Sequence, residues 1–290
     1  MLVPFASNML ALRLARNLNT TSNQVGVSAQ RLSSGSRITK SGDDPAGAAL
    51  AKSLQNDSRL MITAIRNAND ALSVTNIADA GLAEISSIIS RMAELALQSS
   101  NGSYTNVQRS SLQLEFAALG SEIDRISQTV TFNDLPLLSN SSAFTAQIGI
   151  DGNAQSRITI DSVLATTSFL ALGSGSSLTY SLSGATTLDA VSASRLAYSA
   201  LDTAADSVNL QQGVIGAVSG RLSSAIDFLS VTRENILAAE AQINDVNLAE
   251  EFANFTKLSV LQNVQVSLSA QANQQPALVA SLLKDVGKLV

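Results

Sequence analysis

An apolar period that runs on without a break constrains this chain more than any other feature. Ala197, Leu201, Ala204, Val208, Gln211, Ile215, Val218, Leu222, Ala225, Leu229 and Ile236 step forward by fours and threes. Such steps keep returning to one face of a helix, because an α-helix repeats every 3.6 residues. Met61, Ala64, Ala68, Ala71, Val74, Ala78, Gly81, Ile85, Ile88, Met92 and Leu95 do the same, and Ile65, Leu72, Leu82, Ile89 and Ala96 widen that face. A shorter run, Leu112, Phe116, Leu119, Ile123 and Ile126, follows the breaker Asn101-Gly102-Ser103. The spacing predicts helices over 44–100, 105–129 and 197–236. Runs this long indicate a bundle or coiled coil rather than an ordinary mixed core.

The two ends carry thinner versions of the same pattern. Near the N-terminus the line is Ala11, Ala15, Leu18, Ser22, Val25, Ala29 and Leu32. Near the C-terminus it is Leu261, Val264, Leu268, Gln271, Gln275, Leu278 and Leu282. Each is a heptad seam with small or polar residues in many slots. The first would make a helix roughly 40 Å long that buries too little to stand alone. Two weak seams at opposite ends predict that the termini meet each other. Pro276 lies inside the second run and predicts a kink or a local end.

The middle reads differently. Phe144–Ile150 and Arg157–Asp161 read as strands around Asp151-Gly152-Asn153, a hairpin signal. Ser/Thr-rich sequence then runs from Gly173 to about residue 188, with little to bury.

Composition removes several function classes. With neither Cys nor His among 290 residues, there is no disulfide, no thiolate nucleophile and no imidazole base or metal ligand. Gly42-Asp43-Asp44-Pro45-Ala46-Gly47 has the glycine spacing of a phosphate loop, but Ala48-Ala49 stand where Lys-Ser/Thr should follow. It reads as a turn opening a helix, with Asp43 or Asp44 as N-cap and Pro45 as the first helical residue. No catalytic, cofactor-binding or metal-ligating residue is expected. A net charge of −5 argues against nucleic-acid binding. The charge is uneven: the first 40 residues hold five bases and no acid, so the rest sums to −10. Charged residues make up only 14% of the chain, so copies can pack together with little repulsion. No cleavable leader and no apolar run of membrane-spanning length is expected.

Longer motifs then carry a resemblance. Arg31-Leu32-Ser33-Ser34-Gly35-Ser36-Arg37-Ile38, the Asp43-Asp44 turn and Ala64-Ile65-Arg66-Asn67-Ala68-Asn69-Asp70-Ala71 resemble the N-terminal block of bacterial flagellin. Ala239-Glu240 through Ala249-Glu250-Glu251, then Phe252–Lys257, then Gln271–Gln274 before Leu282-Leu283, resemble its C-terminal block. The resemblance implies a mainly α fold. The two termini would form a long-helix coiled coil beside an α-helical bundle with a small β-hairpin, with no sizeable outer domain. Residues 1–42 and 246–290 would be the two halves of the coiled-coil inner domain. Residues 43–165 and 191–245 would form the bundle, the first of these carrying the hairpin, and 166–190 a short variable surface insert.

The resemblance also implies a function. The chain would polymerise into the extracellular flagellar filament for motility, its terminal helices ordering as they assemble. Ala11, Leu18, Val25, Leu32, Leu261, Val264, Leu268, Leu278 and Leu282 would be the polymerisation seam. Implied partners are other copies of the chain, a flagellar export chaperone, the filament cap, hook–filament junction proteins and a host Toll-like flagellin receptor. That receptor would read Arg91, Leu95 and Glu115, which match the family's recognised positions. On bare physics Arg91 and Glu94 are a solvated i,i+3 pair. Export would pass through the flagellar secretion channel. Neither a nucleic acid nor membrane insertion is expected. The alternatives are a hook–filament junction protein of the same superfamily, or a secreted enzyme or adhesin on a helical scaffold.

Overall fold

The computed structural model describes residues 9–141, 143–174 and 177–286; the side chains of Leu10, Ser174 and residues 275–286 are outside the description. Five helices dominate: α1 (Met9–Ser34), α2 (Pro45–Ser99), α3 (Asn106–Thr129), α4 (Thr187–Asn244) and α5 (Leu248–Val286). Three two-stranded antiparallel pairs interrupt them: β1 (Thr131–Phe132) with β2 (Leu135–Pro136), β3 (Phe144–Gln147) with β4 (Arg157–Ile160), and β5 (Gly173–Ser174) with β6 (Ser177–Leu178). The fold is therefore mainly α, with no large outer domain among the described residues. The chain divides into a terminal unit, Met1–Asn56 with Asn235–Val290, and a central unit, Asp57–Glu234. Both divisions fall inside helices, α2 and α4.

The central unit holds the hydrophobic core. Leu82, Ile85, Ile89 and Met92 of α2 meet Phe116 and Ile123 of α3 and Leu201, Ala204 and Val208 of α4. A second cluster packs Ala68 and Ala71 of α2 and Val218 and Leu222 of α4 under Ala146, Ile158 and Ile160 of the β3–β4 hairpin. Small residues on α2 leave the space the hairpin fills. The first strand stops at Gln147 rather than Ile150, because the N–H groups of Ile148 and Gly149 both turn to the Ser156 carbonyl. Part of α4 has a mean hydropathy of 1.3 over 18 residues, within the range of a membrane span by composition. Its buried line, Ala197 to Leu229, instead packs into this unit.

Residues 166–190, expected as a surface insert, do more than cover the surface. Leu170, Leu172 and Leu182 are buried in the main cluster. Asp124 of α3, itself buried, accepts from the Thr167 N–H at 3.0 Å and the Thr167 hydroxyl at 2.8 Å. Gly120 allows the approach, since a Cβ there would meet Leu178 Cδ1 at 2.7 Å. Within 173–188, where little burial is expected, Leu182 is buried and Leu178 and Tyr180 pack against the same cluster, so that expectation is corrected: a few apolar side chains among many serines suffice.

The terminal unit pairs α1 with α5. Its turns are tightly specified. Gly35, at φ +71°, ends α1 in the left-handed conformation, with its N–H on the Arg31 carbonyl. Asp44 caps α2, its Oδ1 accepting from the Gly47 N–H at 2.9 Å, and Pro45 opens the helix. α5 runs through Pro276 to Val286, so the expected end there is absent. A missing N–H removes one bond from a 39-residue ladder that its flanking turns maintain.

Candidate functional site

On α1 the half-buried or buried line is Ala11, Leu14, Leu18, Thr21, Val25, Ser28 and Leu32. On α5 it is Glu251, Phe255, Leu258, Gln262, Gln265, Ser269 and Ala272. Both are unbroken heptad lines. The expected Ala11, Leu18, Val25 and Leu32 lie on the α1 line. Ala15, Ser22 and Ala29, expected between them, are exposed, and Leu14, Thr21 and Ser28 take those slots. Sequence reasoning missed two of these three because threonine and serine carry no apolar signal, and Leu14 because it lies one residue off the alanine line.

α5 departs further from expectation. Leu261, Val264 and Leu268 are 41%, 49% and 47% exposed, so they do not form the contact with α1. Gln262, Gln265 and Ser269, one position on, occupy that contact line. One residue is about 100° of rotation. The more apolar face of α5 is therefore directed outward, and a polar face inward. Leu278 and Leu282 lie in α5, outside the residues whose side chains are described. Phe255 and Leu258 are the available clue to the inward line, since they are its only large apolar members.

The α1–α5 contact is polar and open. The Ser28 hydroxyl donates to the Glu251 carboxylate across it. A groove of about 550 Å³ runs between the helices beside Ser28, Arg31, Asn254 and Lys257. Among the described residues of this unit, the buried apolar side chains are Ala51 and Ala272, and nothing larger than alanine joins them. Meanwhile Val260 joins Leu261, Val264 and Leu268 on the outward side of α5, and Val266 is exposed on another flank.

Where α1 and α5 lead into the other helices, one arginine ties both connections. Arg37 donates through Nε and Nη2 to the Ile243 carbonyl at 3.0 and 2.9 Å, in the last turn of α4. The same Nη2 lies 3.2 Å from Asp44, the cap of α2. A positive group thus sits at a helix C-terminus and a negative one at a helix N-terminus, each matching the local dipole. The Val246 N–H closes the join onto the Gly35 carbonyl at 3.0 Å. The Gly47 N–H and then Arg37 hold the Asp44 carboxyl below the ordinary aspartate range. Burial pushes Asp43 up, but the Lys40 and Thr39 donors outweigh it and leave that carboxyl lowered as well.

Both halves of the chain match family models. Residues 5–143 match the bacterial flagellin N-terminal helical region and 198–283 its C-terminal helical region. The chain belongs to the bacterial flagellin family. It is 34% identical to a flagellin of Halalkalibacterium halodurans, over 96% of this chain and 98% of that one. It is 32% identical to the flagellar filament 33 kDa core protein of Treponema phagedenis, with the same coverage. A solved structure of a putative flagellar hook-associated protein from Vibrio parahaemolyticus shares the fold, with a TM-score of 0.57 at 15% identity, over 70% of this chain and all of that one. This flagellin is a structural subunit of the flagellar filament, outside the cell, and its partner there is its own kind.

The receptor-like positions do not form one exposed patch in this flagellin. Arg91 bridges two helices, donating to Glu94 at 2.9 Å and to Glu115 of α3 at 2.8 Å. Glu115 first, and then Glu94, hold the Arg91 guanidinium in its charged form. Leu95, however, is 1% exposed and belongs to the core. Four residues turn a helix by about 40° beyond one full turn, and at the edge of the buried face that carries Leu95 inside.

Proposed function

We propose that this flagellin assembles by ordering its terminal helices against neighbouring copies. One observation carries the reading: the terminal unit buries no apolar side chain larger than alanine among its described residues, while the outward line of α5 leaves two leucines and two valines in solvent. Pairing α1 with α5 once cannot offset the conformational entropy of two long helices. Repeating the contact along a filament supplies the missing burial, because head-to-tail contacts build an open helix. The same weakness suits passage through the flagellar secretion channel without a cleaved leader. No catalytic or cofactor chemistry is part of this role.

An export chaperone, the filament cap and junction proteins are natural partners of the exposed α5 line, each covering it before or at the end of assembly. A Toll-like receptor would meet the Arg91–Glu115 pair rather than Leu95. The test is truncation. Removing residues 1–35 or 255–290 should leave a soluble helical protein that forms no filaments. Filaments from either truncation would refute the proposal.

A further inference from the structure

We propose that Asn101 is a site of spontaneous covalent modification, at which it loses its side-chain amide nitrogen and gains a carboxylate by way of a cyclic imide. Asn101-Gly102 is the only asparagine–glycine pair in the chain. It lies in the turn between α2 and α3, outside both helical ladders, and both residues are exposed. Gly102 carries no side chain to shield its nitrogen, and a Cβ built there would meet nothing within 4 Å. Its N–H has no acceptor among the described residues, whereas those of Ser100, Asn101 and Tyr104 are bonded.

The reacting carbonyl is prepared. Asn101 Oδ1 accepts from the Ser103 N–H and from the Ser103 hydroxyl, both at 3.1 Å. Attack by the Gly102 nitrogen on Asn101 Cγ collects negative charge on this oxygen, where two donors already point. The Gly102 N–Cγ bond forms and the Cγ–Nδ2 bond breaks. The Gly102 proton passes to water, and Nδ2 leaves as ammonia with a proton from water. A second water then adds across one of the two carbonyl–nitrogen bonds of the imide. Nothing is oxidised or reduced.

Arg109 decides between the products. Its side chain is 0% exposed, and its bonded partners are neutral: the Asn101 carbonyl at 2.7 Å from Nη2 and the Ser99 hydroxyl at 3.3 Å from Nη1. Among the described residues it has no ion pair, and its Nε has no partner. If water opens the imide at the main-chain carbonyl, that same oxygen becomes a carboxylate already in contact with Arg109. This is the isoaspartyl product. A charge-assisted bond to a buried guanidinium favours it over the aspartyl product. Each event adds one negative charge to a chain of formal charge −5.

The experiment follows the purified full chain in dilute neutral buffer. Anion exchange reads the charge gain, and peptide mass spectrometry reads each asparagine and separates the two products. Asn101 should convert faster than every other asparagine, and Gly102→Ala should abolish the conversion. Ser103→Ala should slow it about fivefold, the value of one ordinary hydrogen bond. The ratio of isoaspartyl to aspartyl product should exceed that of a free peptide of residues 98–106 by about fivefold. An intact Asn101 in a protein whose free peptide reacts would overturn the proposal, as would a Ser103→Ala rate equal to the unmutated one. A product ratio matching the free peptide would overturn the part given to Arg109.

Discussion

Leu268→Asp separates the assembly surface from the core. Leu268 is 47% exposed in the subunit and sits on the outward line of α5. An aspartate there stays hydrated in the free subunit, where surface changes fall within about 0.5 kcal/mol. The thermal melt of the unassembled protein should therefore be unchanged. In a filament a neighbouring copy would cover the position. The exposed half of a leucine is worth about 1 kcal/mol on burial. An unpaired carboxylate taken out of water costs roughly 3 kcal/mol more. Together these come to about 4 kcal/mol per subunit, or about a thousandfold in the concentration at which filaments form. Sedimentation across a concentration series, with electron microscopy of the pellets, measures that threshold. Leu268→Met keeps volume and polarity and should polymerise normally. Filaments of Leu268→Asp at the ordinary threshold would refute the idea that this line meets neighbours. A melt lowered by several degrees would show that the side chain is buried within the subunit instead.

Leu201→Ala removes a fully buried side chain of the main core and should cost about 2–5 kcal/mol, read from chemical denaturation of the unassembled protein. Gly35→Ala places a Cβ on a residue at φ +71° and should cost about 1–2 kcal/mol locally, read as faster exchange of the Val246 amide. Asp43 and Asp44 both have lowered folded-state pKa values, so their contribution is present above the unfolded value, near pH 3.9, and is lost as pH falls through the lower folded values. Amide protection at Lys40 and Gly47 should fade only in that acid window, and Asp44→Asn should remove the pH dependence at Gly47 while keeping the cap. Unchanged protection through that window would remove these carboxylates from the account.

Much of this flagellin is legible in its residues alone. The run from Ala197 to Leu229 keeps one phase and is buried along the central unit, because large and small apolar residues recur there with no competing face. The turn at Asp44-Pro45 is equally plain, since capping depends on a few neighbouring atoms. The β3–β4 hairpin is legible in place but not in length, because the Ser156 carbonyl takes two N–H groups that the alternating pattern assigns to a ladder.

The candidate site is legible in period and not in phase. On α5 the leucines and valines mark one line, yet the polar line one residue away meets α1. Leu95 falls on the apolar line of α2 and is buried as that line predicts, although the resemblance groups it with Arg91 and Glu115. A three-four repeat requires a helix with a preferred side, and the chain alone determined that much here. Rotating such a helix by one residue leaves the repeat intact while exchanging which side chains meet water, so only the packed neighbour decides the rotation. For α1 and α5 that neighbour offered a narrow line of small and polar residues, which leaves the apolar face open to another copy of the chain.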